Sequence, residues 1–280
     1  MRKEIPMDIL FIGHVAKDIN RTTQKTVTVP GGGVFYGSIA AQRLGAKCEV
    51  ITKCSINDRS LYDEMISTGV QVLFLESETT TTIENLYPTG NPDDRISRVL
   101  SLGKRFERRD IEGISCERII LSALWYGEFP EELIEFVRER GEILAADAQG
   151  FLRNVVDNGQ LRYQDWKDKG KYLKFFDVFK VDNNEAFVLT GERDLKEACR
   201  KIQGMGTKIV LATHKDGVYA FDGESFYEAR FLPYSLEGRT GRGDTCLSTF
   251  ITALDDLRKA VELAAEVTSK KMQYPGPYKG

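Results

Sequence analysis

Seven short apolar runs recur along the chain. They are DILFIGHV (8–15), CEVITKC (48–54), VQVLFL (70–75), RIILSAL (118–124), EILAAD (142–147), FDVFKV (176–181) and KIVLAT (208–213). Their length and β-branched content predict strands buried on both faces, as in a parallel sheet. Helical patterns lie between them. VFYGSIAAQRLG spaces its apolar residues three and four apart and ends on Gly45, a natural helix stop. PEELIEFVRERG carries proline in its first turn, acids early, arginines late and Gly141 at its end, which predicts a helix over 130–141. Strands alternating with helices predict an α/β fold with a doubly wound, mostly parallel central sheet and helices on both faces. Two polar, threonine-rich segments break the alternation, at about 17–30 and 76–101. They are partly period-two and predict exposed strands standing off the main sheet as a small β lid. With no repeat and no low-complexity linker, residues 1–280 read as a single domain.

Composition narrows the class. A chain of 280 residues with 41% hydrophobic content can bury a sizeable core. The net charge of −3 argues against a nucleic-acid partner. The densest basic run, KRFERRD (104–110), reads as a solvated face. No apolar stretch approaches the roughly 18 residues of a membrane helix. The opening MRKEIPMDILFIGHV carries Asp8, lacks a small-residue cleavage site and reads as a first strand, which implies a cytoplasmic protein. Five cysteines are scattered, odd in number and never in a C-x-x-C pair, as expected of buried thiols in a reducing cytosol. Only two histidines are present, so a histidine metal site or a Ser-His-Asp triad is disfavoured. His14 closes a buried strand and reads as structural, and Trp125 and Trp166 read as packing residues.

The chemistry concentrates at two glycine-rich turns. In EGRTGRGDTCLSTFITA (237–253) a glycine turn runs into an apolar helix. Gly241 and Gly243 predict unusual backbone angles. The helix start behind them offers free N–H groups and a positive dipole end, an anion site. Asp244 stands at the same point. One reading makes the turn a cradle for a transferring phosphoryl group and Asp244 the base that takes a proton from the attacking hydroxyl. Another makes Asp244 an ordinary helix N-cap. A third, Arg-Gly-Asp adhesion, needs an export signal that the chain does not display. The second turn, VPGGGVFYGSIAAQRLG (29–45), places Gly31, Gly32 and Gly33 before a helix, a backbone that something approaches closely. Neither G-x-x-x-x-G-K-[ST] nor a strand-borne G-x-G-x-x-G is present.

Together GGGVFYGSIAAQRLG and RTGRGDTCLSTFITA resemble the two signature regions of the PfkB, or ribokinase-like, carbohydrate kinases. The resemblance extends over nearly the whole chain. Asp18 in GHVAKD falls at a substrate-binding aspartate of the family. VDNNEAFVLTG (181–191) resembles its N-x-x-E segment, LATHKDGV (211–218) its nucleotide segment and MQYPGP its closing turn. The departures are several. Tyr36 stands where the family usually has asparagine, and Gly238 where it has the first acid of D-T-x-G-A-G-D. Arg242 replaces an alanine, Asp182 an asparagine and His214 a glycine. Tyr36 together with DAQGFLR (147–153) is similar to the inositol-kinase branch.

The resemblance implies an ATP-dependent kinase that phosphorylates a hydroxyl of a small neutral polyol or sugar, myo-inositol first. Asp244 would be general base, with Gly241, Arg242 and Gly243 forming the anion hole. Asp18, Gly31, Gly32, Gly33, Tyr36, Gln149 and Arg153 would hold the acceptor. Asp182, Thr213, Gly217 and Arg239 would hold ATP, and Glu185 would hold Mg²⁺ through water. Glu185 also admits a surface-acid reading. Lids of this family often pair, which implies a homodimer. The competing readings are a nucleoside or sugar-acid kinase of the same fold and a non-catalytic nucleotide-binding regulator.

Overall fold

The computed structural model describes residues 8–88 and 95–280; residues 1–7 and the part 89–94 of the second polar segment lie outside the described residues. The strands of the first half are β1 (Asp8–Ile12), β2 (Ala16–Thr22), β3 (Thr26–Gly31), β4 (Lys47–Cys54), β5 (Gln71–Glu76), β6 (Thr81–Tyr87), β7 (Ile96–Ser101) and β8 (Cys116–Leu121). Those of the second half are β9 (Gly141–Asp147), β10 (Arg153–Val155), β11 (Leu161–Tyr163), β12 (Val178–Asp182), β13 (Ile209–Thr213), β14 (Gly217–Phe221) and β15 (Phe226–Arg230).

All seven apolar runs became strands of one nine-stranded sheet, in the order β15-β14-β13-β12-β9-β8-β1-β4-β5. The pairings from β5 across to β13 are parallel. Burial on both faces explains the apolar runs of the inner strands; β5 departs from that expectation, because it is the sheet edge and leaves Leu73 53% exposed. Leu10 and Ile12 enter the core on one side of the sheet, and Ile9 and Phe11 enter the core on the other. Each such side chain contributes about 1.5–3 kcal/mol by leaving water. On the first side Trp166 stacks on Phe151 at 4.4 Å, as a packing residue. The antiparallel hairpin β14–β15 extends the β13 edge.

The first predicted helix runs Gly33–Arg43 and ends ahead of Gly45, whose φ is 93°. The second is shorter than its pattern. Glu131–Leu133 is a 3-10 turn and Ile134–Arg138 a short helix. Gly141 is not its stop but the first residue of β9, where a Cβ would press Ile119 Cδ1 at 2.9 Å.

The two polar segments meet in a separate four-stranded sheet of order β3-β2-β6-β7. His14 fastens this small sheet to the large one. It is fully buried, and Nδ1 lies 2.9 Å from the Thr81 hydroxyl while Nε2 lies 3.0 Å from the Lys104 carbonyl. Burial, opposed by the Lys104 bond, lowers its pKa to about 3, so the ring is neutral. The buried Glu128 carboxylate accepts from the His14 and Leu124 N–H groups, and burial raises its pKa to about 8.

Candidate active site

A cavity of about 430 Å³ opens at the carboxyl ends of the main strands, beneath the small sheet. Asp147 ends β9, Asp182 ends β12 and Thr213 ends β13, and all three line it. Two helices point their N-termini into it. The Gly33–Arg43 helix starts on Gly32, whose φ of 98° and close approach to the His14 carbonyl require glycine. A Cβ on Gly33 would lie 2.5 Å from Asp244 Oδ1, so this glycine leaves room for that carboxylate. Gly31 does the same for Asp18, whose Cγ would be 2.8 Å from a Cβ.

The Arg242–Thr252 helix starts on Gly241 at φ 79°, as expected of a glycine turn. Gly241 also lies flat against the Tyr36 ring, where a Cβ would be 2.7 Å from Cδ2. Gly243 differs from expectation. It sits inside the first helical turn without a positive φ, and its missing side chain makes room for Lys180 Nζ, 2.9 Å from a Cβ there. The Gly243 N–H has no backbone acceptor among the described residues and is free for an anion, whereas the Asp244 N–H turns toward its own carboxylate.

Electrostatics divide the cavity. Asp244 is lifted to about 6 by burial and by the Asp147 charge, with Lys180 and Lys271 opposing. A carboxyl poised there is mostly ionised at neutral pH and still basic enough to take a proton. Lys180 bridges Asp147 at 2.9 Å and Glu185 at 3.4 Å. Burial pulls Lys180 down, but Asp147, Glu185 and Asp182 outweigh it and hold the ammonium charged. Beside them Arg242 lies 6.0 Å from the Phe231 ring centre, and its pKa is lowered by burial and by neighbouring Arg239. Two guanidiniums at one helix N-terminus favour an anion between them. At the opposite end, burial lifts Asp18 to about 6 against the pull of Arg153 and Arg95.

The cavity gathers Asp18, Gly32, Gly33, Tyr36, Gln149, Arg153, Asp182, Glu185, Thr213, Arg239, Gly241, Arg242, Gly243 and Asp244. Two expected residues lie outside its lining. Gly31 packs on Asp18, and Gly217 sits in β14, where a Cβ would crowd Arg230 Cα of β15 at 3.2 Å. Glu185 is not a surface acid. It is buried, accepts from the Asp182 N–H at 2.7 Å and closes a capping box with Asp182. Burial, eased by Lys180, raises its pKa to about 8. Sequence reasoning missed Asp147, Lys180 and Arg95. A lysine in the middle of a buried strand was the available signal for Lys180.

Among the described residues no group of three or more His, Cys, Asp and Glu side chains converges on a metal position. Mg²⁺ needs only one or two carboxylates beside phosphate oxygens, and the Glu185–Asp182 pair next to the anion turn fits that requirement.

No protein-family model matches the chain. A pyrophosphate-dependent kinase in the ribokinase family, solved with a pyrophosphate analogue and myo-inositol, is 48% identical, with a TM-score of 0.91 and 97% of each chain covered. A pyrophosphate-dependent myo-inositol-1 kinase converted into a myo-inositol-3 kinase is 46% identical, with a TM-score of 0.90, covering 97% of this chain and 95% of that one. A cytidine kinase of Thermococcus kodakarensis is 25% identical over 94% of this chain and 97% of its own. Ribokinase of Arabidopsis thaliana, at 17% identity and a TM-score of 0.74, shares the fold. Near-half identity over both full lengths, on a cavity with an anion turn beside a carboxylate, identifies the chain as a kinase of the ribokinase family.

Proposed function

We propose that this kinase transfers a phosphoryl group from pyrophosphate to a hydroxyl of myo-inositol. The observation that carries the reading is the placement of Asp244 between two helix N-termini, with arginines on one side and the Asp18–Arg153 end on the other. The relatives of 46–49% identity are pyrophosphate-dependent kinases, two of them in the ribokinase family, one solved with myo-inositol and one a myo-inositol kinase by name. ATP, expected from the wider family, fits the donor end less well. The residues lining that end are Asp182, Glu185, Thr213 and 239–244, none of them an apolar wall for a purine. Pyrophosphate asks only for charge and hydrogen-bond donors.

Asp18 accepts from two adjacent hydroxyls, as a vicinal diol requires. The reacting hydroxyl gives its proton to Asp244 as its oxygen forms the new P–O bond. The bridging P–O bond of pyrophosphate breaks, and orthophosphate leaves toward Arg239 and Arg242. The proton on Asp244 then passes to that phosphate, which resets the base. The Gly243 N–H at the helix start donates to the transferring phosphoryl oxygens, and positioning and charge neutralisation carry most of the acceleration. Mg²⁺ held near Glu185 and Asp182 would neutralise donor charge. The small sheet over the cavity keeps water from competing with the acceptor.

The test measures product by phosphorus NMR with pyrophosphate or ATP as donor, against myo-inositol, ribose, fructose, 2-keto-3-deoxygluconate and cytidine. Pyrophosphate with myo-inositol should give the highest kcat/KM. A higher value with ATP removes the donor assignment, and a higher value with cytidine or the sugar acid removes the acceptor.

A further inference from the structure

The Leu257–Lys271 helix ends in two lysines with opposite fates. Lys270 points outward and pairs with Glu266 at 2.7 Å, the ordinary arrangement at a helix C-terminus. Lys271 turns inward and is wholly buried. Its Nζ donates to the Gly238 carbonyl at 2.7 Å and lies 5.4 Å from the centre of the Tyr36 ring. No carboxylate pairs with it among the described residues. An ammonium without a carboxylate is costly to bury, and one carbonyl and one ring face offset only part of that cost. Burial draws its pKa to about 8, with the Asp244 charge opposing, so it is still mostly charged at neutral pH.

Its surroundings give this charge a task. Gly238 opens the turn that leads to Gly241 and Asp244. Its N–H donates to the Met272 carbonyl at 2.9 Å. A Cβ on Gly238 would lie 2.8 Å from the Lys271 carbonyl oxygen and 2.6 Å from the Tyr274 carbonyl carbon. The start of the anion turn is therefore seated directly on the end of the helix. The same Tyr36 ring touches Gly241 on one side and receives Lys271 on another.

We propose that Lys271 is a positioning residue for phosphoryl transfer, an internal ammonium that ties Gly238 to the C-terminal helix and places positive charge behind the Gly241–Asp244 turn. It acts through the turn and touches neither substrate. The proposal rests on the reading that this turn receives the phosphoryl group.

The experiment compares Lys271→Ala and Lys271→Met in the full chain, on the donor and acceptor that the parent protein turns over. Circular dichroism and thermal melting establish that each variant is folded. Both should lose roughly tenfold or more in kcat, less than the roughly 10²–10³-fold that removal of a direct oxyanion donor costs. The acceptor KM should stay within about twofold, because the lost interaction is not a substrate contact. Methylammonium, which carries the missing head group, should raise kcat of Lys271→Ala. Tetramethylammonium at equal ionic strength is too large to enter and should not. Lys271→Met fills the space and should not respond to either. Parent-like kcat in Lys271→Met overturns the proposal. So does a folded Lys271→Ala that methylammonium leaves unchanged, since that pattern belongs to a packing residue. Parent-like turnover in Asp244→Asn would instead sink the reading of the turn itself, which keeps the two failures distinct.

Discussion

Gly241→Ala adds one methyl group at the point where the anion turn rests on Tyr36. Two costs follow from the geometry. The backbone holds φ at 79°, a left-handed conformation that costs an L-residue about 1–2 kcal/mol. The new Cβ would also press the Tyr36 ring, at 2.7 Å from Cδ2 and closer still to Cγ and Cδ1. That ring cannot step aside cheaply. It is 4% exposed, packs edge-on against Phe35 at 5.2 Å and has Lys271 above it. The turn must move instead, by roughly the 1 Å that separates such a contact from ordinary packing. A displacement of that size at a reacting centre costs about 10²-fold in rate. The expected outcome is a folded protein whose melting temperature drops by a few degrees, from about 1–3 kcal/mol of strain, and whose kcat falls about 10²-fold. Phosphate release at saturating substrates measures the second quantity. In a Tyr36→Ala background, which removes the clash but not the strained φ, Gly241→Ala should lower the melting temperature by less than it does in the parent. If Gly241→Ala keeps parent kcat, the turn does not position the phosphoryl group.

Asp244→Asn should lower kcat by about 10²–10⁴-fold, the usual size of a general-base contribution, with little change in either KM. Because burial lifts Asp244 to about 6, kcat of the parent protein should fall as pH drops through that value and the base becomes protonated; a profile flat from pH 5 to 8 would count against it. Arg242→Ala should raise the pyrophosphate KM by about tenfold or more, as expected for one charge-assisted phosphate contact, and should harm kcat less than Asp244→Asn; the reverse ranking would mean that the two roles are misassigned. Glu185→Gln keeps a side chain that can still accept from the Asp182 N–H, so the fold should persist while half-maximal activity shifts to higher Mg²⁺; an unmoved Mg²⁺ titration would leave Glu185 a structural cap.

The strands most legible in the sequence are those whose side chains are buried on both faces. FDVFKV announces itself because water touches neither side, and KIVLAT does so from Val210 to Thr213. The hairpin β14–β15 escaped notice because it is an edge, with exposed residues such as Glu228 and Arg230 interrupting its apolar positions. The glycine turns were legible as turns, but their geometry was not. Gly241 does adopt the positive φ that its context suggests, whereas Gly243 is glycine for the sake of Lys180, which lies far off in the chain. Lys180 and Asp147 were hidden because each is meaningful only beside the other, across paired strands. Arg95 sits in a polar stretch whose composition suggests only solvent. Lys271 stood where basic residues customarily complement a helix end, so nothing local betrayed its burial.

All fifteen described strands lie before residue 231, while the turn that faces the phosphate spans 238–244. The helix after that turn is also a structural cover. Cys246, Leu247, Phe250 and Ile251 pack into the core on one side of the main sheet, over strand residues such as Val178, Leu211 and Val218. A chain emerging from the ribosome therefore completes its sheets with only the β1–β4 part of that face covered, by the Gly33–Arg43 helix, and shields the rest only when the Arg242–Thr252 and Leu257–Lys271 helices dock. Docking the helix also brings Asp244 against Gly33. Maturation of the core and arrival of the base are thus a single event, and a chain stopped short of this helix would be an aggregation-prone sheet rather than an inactive but soluble protein.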